Sequence, residues 1–169
     1  MKHFLLTTTL ILATVGFAAA QQKKAPASPP AETSANFGGK AVSIKYASPS
    51  VKGRKIVGGL LPFGEVWRAG ANSATALHAE TDLQIGTLAV PKGDYTIYVI
   101  PTATEWTLII NKQTGQWGTE YSQSNDLGRA KMTVKAAPAL VESFKISLSA
   151  SALTMEWENT IATIPVKAK

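Results

Sequence analysis

From Ser48 to Thr75 the chain reads SPSVKGRKIVGGLLPFGEVWRAGANSAT, which places Lys52, Arg54, Lys55 and Arg68 among Gly53, Gly58, Gly59, Gly64 and Gly70. Glycines let backbone N–H groups approach a ligand closely, and arginine forks match the oxygens of carboxylate, phosphate or sulfate. Trp67, next to Arg68, adds a flat apolar surface of the kind that stacks on sugars. This composition suits an anion or glycan site. The same residues also fit a plainer arrangement, with Trp67 plugging one end of a sandwich and Arg68 paired to Glu65 or another carboxylate.

A second stretch, Asn111 to Arg129, reads NKQTGQWGTEYSQSNDLGR. Trp117 and Tyr121 sit there beside amides and carboxylates, a mixture that suits sugar C–H faces and hydroxyls. Glu120, Asn125 and Asp126 are oxygen donors of the sort calcium takes, but their spacing is not that of an EF-hand loop. A solvated loop with Trp117 packed on a sheet is the alternative. Glu156 and Glu158 share one strand face, about 7 Å apart at two residues' separation, a distance open to a pair of glycosidase carboxyls.

Several chemistries are excluded by count. The chain has no cysteine, so it has neither a disulfide, nor a lipid-bearing lipobox cysteine, nor a thiolate site. Its two histidines are His3 and His78, too few for an imidazole-built zinc or copper centre. Ser-His-Asp chemistry would have to use His78, and no G-x-S-x-G elbow is present. No cofactor is called for. The formal charge of +6 falls to +5 if Lys2 leaves with a leader, and the lysines are scattered rather than gathered in a stripe. With no nucleic-acid motif, anionic envelope polymers fit that charge better than nucleic acid does.

The elements that must position these residues are strands. Val42, Ile44 and Tyr46 alternate with Ser43 and Lys45, and the same period of two recurs at Ala130–Lys135, Phe144–Ser149 and Leu153–Glu158. Tyr95–Ile100 and Trp106–Ile110 are apolar on both faces, as in central strands covered on both sides. Pro91–Asp94, Pro101–Glu105, Ser149–Ala152 and Glu158–Thr160 read as turns. Pro165 suggests that the last strand is an edge. The expectation is an all-β, antiparallel β-sandwich of jelly-roll type, with eight or more strands and little helix. Ser48–Thr75 and Asn111–Gly128 stay outside the strand pattern.

The chain of 169 residues, 45% hydrophobic and 17% charged, is the size of one domain preceded by two short segments. Lys2 and His3, the mostly apolar run Phe4–Phe17 and the small residues Ala18–Ala20 read as an export signal over residues 1–20. The apolar run is too short for a membrane span of about 20 residues. Residues 21–40, rich in Pro, Ala and Ser, read as a disordered arm. Residues 41–169 are then a single domain of a protein exported to the periplasm or exterior after cleavage near Ala20.

The stretch Pro62–Thr75, preceded by Ser48-Pro49 and Gly53-Arg54-Lys55-Ile56, resembles the domain-of-unknown-function family 2911 through its core Trp67-Arg68-Ala69-Gly70-Ala71-Asn72. Pro91–Tyr95, Glu105–Thr107, Asn111-Lys112, Gln116–Gly118 and Leu153–Asn159 extend the resemblance over Val42–Val166. It implies a small exported bacterial protein without an assigned activity. In that family the positions of Ala69 and Ser73 more often carry threonine and a carboxylate, and the missing acid counts against an enzyme. The leading expectation is a non-catalytic module that binds a glycan or anionic envelope polymer through Arg54, Trp67, Arg68, Asn72, Trp117, Tyr121 and Arg129. It requires both irregular stretches on one side of the fold. A hydrolase using Glu65, Asp126 or Glu156 is the second reading, and a structural or partner-binding envelope protein the third.

Overall fold

The structure, a computed structural model, describes residues 27–169. The expected export signal and residues 21–26 of the arm lie outside the described residues. Nine strands form one antiparallel sheet: β1 (Pro30–Phe37), β2 (Lys40–Ala47), β3 (Thr75–Ala79), β4 (Leu83–Ile85), β5 (Leu88–Val90), β6 (Gly93–Pro101), β7 (Glu105–Asn111), β8 (Asp126–Leu148) and β9 (Ala152–Ala168). Their order across the sheet is β1-β2-β3-β6-β7-β8-β9-β4-β5. A short 3₁₀ turn, Gln123–Asn125, is the helical content of the described residues. The all-β antiparallel class read from the period of two is thus what forms.

Two layers arise because the long β8–β9 hairpin serves both sides of the core. The first part of β8 pairs with β7 up to Thr133, and the β8–β9 register then breaks between Ala136 and Val141, around Pro138. Beyond the break β8 crosses to the other layer. There the Ile146 N–H donates to Tyr46 Oη (3.0 Å), the Leu148 N–H to Thr33 Oγ1 (3.1 Å) and the Phe144 N–H to the Pro49 carbonyl (2.8 Å). One buried cluster joins Val42 and Ile44 of β2, Ile97 and Val99 of β6, Leu108 of β7, Phe144 of β8 and Trp157 of β9. Ser43 and Lys45, like Lys131 and Lys145, fall on the outward positions, as alternation requires.

β6 is buried on both faces, with Tyr95, Ile97 and Val99 inward and Thr96 and Tyr98 outward. The outward pair is covered by the irregular segment between β7 and β8, which supplies the second layer such a strand needs.

Three expectations are corrected. Residues 30–37 are not a disordered arm: they form β1, in register with β2 from Pro30↔Ala47 to Phe37↔Lys40. Few of its residues are large and apolar, so its burial pattern left little trace in composition, yet Phe37 is buried. Glu158–Thr160 is not a reversal, because β9 runs through it and bends at Glu158, whose φ is 53°. Pro165 does not mark an edge, since β9 lies between β8 and β4. It falls beyond Thr163, the last β9 residue in register with β8, where a missing N–H leaves no partner unpaired. On its other side its carbonyl accepts the Gly86 N–H at 2.8 Å.

If β1 is part of the folded unit, Phe37→Ala costs about 3–5 kcal/mol, as for other buried phenylalanines. Urea unfolding measures it, and a loss below about 1 kcal/mol would return residues 30–37 to the status of an arm.

Candidate functional site

The irregular segment after β2 is anchored at three levels. Val51, Ile56 and Leu61 are buried plugs in the core. Two carboxylates tie its backbone down: Glu142 Oε1 accepts the Lys52 N–H (2.9 Å), and Glu158 Oε2 accepts the N–H groups of Ile56 and Val57 (3.1 and 3.3 Å). Past these, Trp67 exchanges two backbone hydrogen bonds with Val99, both 2.8 Å. β3 pairs with β6 only as far as Ile97, so Trp67 takes the place beside Val99 that β3 leaves open.

This bridge sets the direction of two side chains. Trp67 turns into the core, with its ring stacked on Trp157 (5.4 Å, 18°) and edge-on to Phe144 (4.8 Å) and Trp106 (6.4 Å). Arg68, the next residue, leaves on the opposite side. Its stem passes over Gly118, where an added methyl group would collide with Arg68 Cδ and stand 2.7 Å from the Asn72 carbonyl.

The two irregular segments meet there through their backbones. Ser73 and Trp117 form an isolated antiparallel bridge, the Gly118 N–H donates to the Asn72 carbonyl (3.0 Å), and the Ala74 N–H donates to the Gln116 carbonyl (3.2 Å). Ala69 and Asn72 both have positive φ, 49° and 62°. Asparagine tolerates that region, but alanine is strained in it. Buried Thr75 helps to hold the bend by donating its hydroxyl to the Ala69 carbonyl (2.7 Å).

A cavity of about 420 Å³ opens between this bend and the glycine-rich loop. Lys52, Arg54, Arg68, Trp67 and Trp157 line it, and among the described residues no acidic one does. Arg54 is fixed by its own loop, donating from Nε to the Val51 carbonyl (3.0 Å) and from Nη2 to the Ser50 carbonyl (2.6 Å). Arg68 has no carboxylate within salt-bridge distance among the described residues, and its buried Nε has no acceptor. The indole N–H of Trp157, in the same wall, also lacks one. The pairing of Arg68 with Glu65 is therefore not found, and Glu65 is exposed.

The expected site residues divide into three groups. Arg54, Trp67 and Arg68 all border the cationic cavity, although Trp157 already covers one face of Trp67 and the Arg68 stem runs the other way, over Gly118. Asn72 lines a neighbouring cavity, and Trp117 stands 52% exposed beside the Ser73 bridge. Tyr121 and Arg129 belong elsewhere, on the outer face of β6 and β7. There Asp126 Oδ2 accepts from Tyr121 Oη (2.8 Å) and from Arg129 Nε and Nη2 (3.0 and 2.9 Å), while Asn111 donates to Asp126 Oδ1 (2.9 Å). Tyr121 also packs on Tyr98 (4.9 Å). This is a closed network, fastening the second segment to the sheet.

Sequence reasoning missed Gln116, a buried polar residue between Gly115 and Trp117. Its Nε2 donates to Tyr98 Oη (3.1 Å) and, at 3.4 Å, to Thr96 Oγ1, while its Oε1 has no partner. Its signal was weak, since glutamine in a polar loop reads as solvated.

His78 sits between Ser43 and Asp94 in strand register, with Nδ1 2.7 Å from Asp94 Oδ1. The row spells Ser-His-Asp, but no hydrogen bond joins Ser43 to His78, and the His78 and Asp94 side chains are 53% and 70% exposed. An activated nucleophile needs that missing bond and shelter from water.

The family model described as "Protein of unknown function (DUF2911)" matches residues 28–166. The chain belongs to the DUF2911 family. The match takes in β1 along with the rest of the sheet, in keeping with Pro30–Phe37 as part of the folded unit. No curated protein and no solved structure matches this DUF2911 chain.

Two outcomes follow for this junction. Gly118→Ala should cost about 1–3 kcal/mol, because the backbone carbonyl of Asn72 and the Arg68 stem must both give way. Equilibrium unfolding checks it, and an unchanged midpoint would contradict the close crossing. Burial pushes the phenols of Tyr98 and Tyr121 above 10.0, at Tyr98 against the Gln116 hydrogen bond and at Tyr121 with added help from Asp126. A raised folded value means stabilisation that is whole below pH 10 and is lost as pH rises through that value. The urea midpoint should therefore fall above pH 10, less steeply in Tyr121→Phe, and parallel profiles would contradict this.

Proposed function

We propose that this DUF2911 protein is a non-catalytic binding module of the cell envelope, exported by its N-terminal signal, which holds an acidic group of an envelope polymer in the Arg54–Arg68 cavity. The observation that carries this reading is Arg68 itself. A guanidinium has five N–H donors and keeps its charge at any physiological pH. Its Nε is buried without an acceptor, and no carboxylate lies within salt-bridge distance of its guanidinium among the described residues, so its N–H donors are open to an acidic group from outside. Lys52 and Arg54 in the same wall add two cations, and the loop carbonyls hold the Arg54 fork in place before any ligand arrives. Preorganised cations around an acid-free cavity suit a carboxylate or phosphate ligand.

The hydrolase reading has less support. Glu65 is exposed, Asp126 is bound up with Tyr121 and Arg129, and Glu156 lies 3.6 Å from Lys145. Asp126 is sheltered, with its side chain 10% exposed, but both its oxygens are taken up by Asn111, Tyr121 and Arg129, and neither of the other two is held as a general acid tuned by burial would be. A purely structural protein would have no need of a cationic cavity beside Trp67.

Arg68→Met keeps the apolar stem over Gly118 and removes the charge. Isothermal titration with polygalacturonate should show binding to the wild type that weakens at least tenfold in the variant, since a charge-assisted hydrogen bond contributes about 1.5–3 kcal/mol. The melting temperature should change little, because no buried carboxylate is left behind. Equal affinity in the two proteins, or no binding to either, would end this reading.

A further inference from the structure

The cationic cavity is one end of something longer. A second cavity, of about 460 Å³, shares Ser28 and Ala71 with it and continues past Asn72, Ser73 and Gln116 over the outer face of β2, β3 and β6. A third, also about 460 Å³, shares Lys45 and Ala76 with the second and ends at His78 and Asp94. The residues in common set the three cavities side by side along one face.

Strand register explains the trough. Lys45, Ala76 and Thr96 lie directly opposite one another across β2, β3 and β6, and Ser43, His78 and Asp94 form the next row on the same face. Ala76, exposed and small, leaves a dip between the lysine and the loop that carries Gln116. Gln116 is 7% exposed, its amide nitrogen is committed to Tyr98 and Thr96, and its Oε1 is left without a donor. A buried acceptor of that kind calls for an O–H or N–H from outside the protein.

Resting on the binding-module reading, we infer that the three cavities are one cleft for an extended acidic glycan, with the Arg54–Arg68 end taking a uronate-type carboxylate. The middle, at Lys45, Ala76, Asn72 and Gln116, takes the hydroxyl or amide groups of the following units. Amides and hydroxyls outnumber cations along this middle stretch, where Lys45 is the one cation among the described residues. A polyphosphate, charged at every unit, would meet too few of them, whereas a glycan presents hydroxyls throughout.

The test compares galacturonate with its tetramer by isothermal titration of the purified protein. The tetramer should bind at least tenfold more tightly than the monomer. Ala76→Tyr fills the dip on an exposed strand position where aromatic residues are well tolerated. It should abolish the gain with length and leave monomer binding as it was. Lys45→Ser, a milder change at an exposed site, should reduce tetramer affinity at least threefold without touching the monomer. Arg68→Met should weaken both ligands. Monomer and tetramer binding equally, both through Arg68, would overturn the cleft and leave the module intact. A length gain that survives Ala76→Tyr and Lys45→Ser would also overturn it, as would inorganic tetraphosphate matching the galacturonate tetramer. If neither galacturonate ligand binds, the module reading falls first and the cleft with it.

Discussion

The structure turns on a single pleat. Two backbone hydrogen bonds between Trp67 and Val99 fix an irregular chain to the exposed flank of β6. Successive side chains of an extended chain point to opposite faces, so sending Trp67 into the aromatic cluster obliges Arg68 to go the other way. The indole pays for the placement of the guanidinium: four aromatic rings converge on the core side, and that packing holds Arg68 where no carboxylate of the described residues lies within salt-bridge distance. The strained φ values at Ala69 and Asn72, and the backbone bridge to Gly118, all lie within a few residues of this pleat. Strain of this sort persists only where its surroundings over-determine the backbone.

The fold class was legible because the period of two is a direct image of burial. Val42 and Ile44, Met132, Phe144 and Ile146, and Met155 and Trp157 are all buried where alternation put them. The double-sided reading of Tyr95–Ile100 anticipated a cover over Thr96 and Tyr98, though not which segment provides it. β1 escaped notice because Ala31, Ser34 and Ala35 pack through backbone pairing with β2 more than through large side chains. A strand held mainly by its ladder leaves a faint mark on composition.

The candidate site was half legible for a different reason. Residue types told which side chains are able to bind an anion, but not which of them are already satisfied. Arg54, Trp67 and Arg68 border one cavity because one short, pinned loop carries them. Tyr121 and Arg129 carried the same chemistry and are spent on Asp126, a partner within the same segment. The i, i+3 spacing of Asp126 and Arg129 was the available signal. Gln116 and Lys45 acquire interest only from three-dimensional neighbours, in the loop over β6 and the row across β2, β3 and β6.

The central claim is that Arg68 is held ready without a partner and receives a ligand acid. Its Nε–H gives its own signal in a ¹⁵N-resolved NMR spectrum, assigned by loss in Arg68→Met. The account predicts that this signal exchanges slowly with water in the free protein, as befits a buried donor, and moves progressively as tetragalacturonate is added. A signal that exchanges as fast as a surface arginine's, or that stays still at saturating glycan, would contradict it.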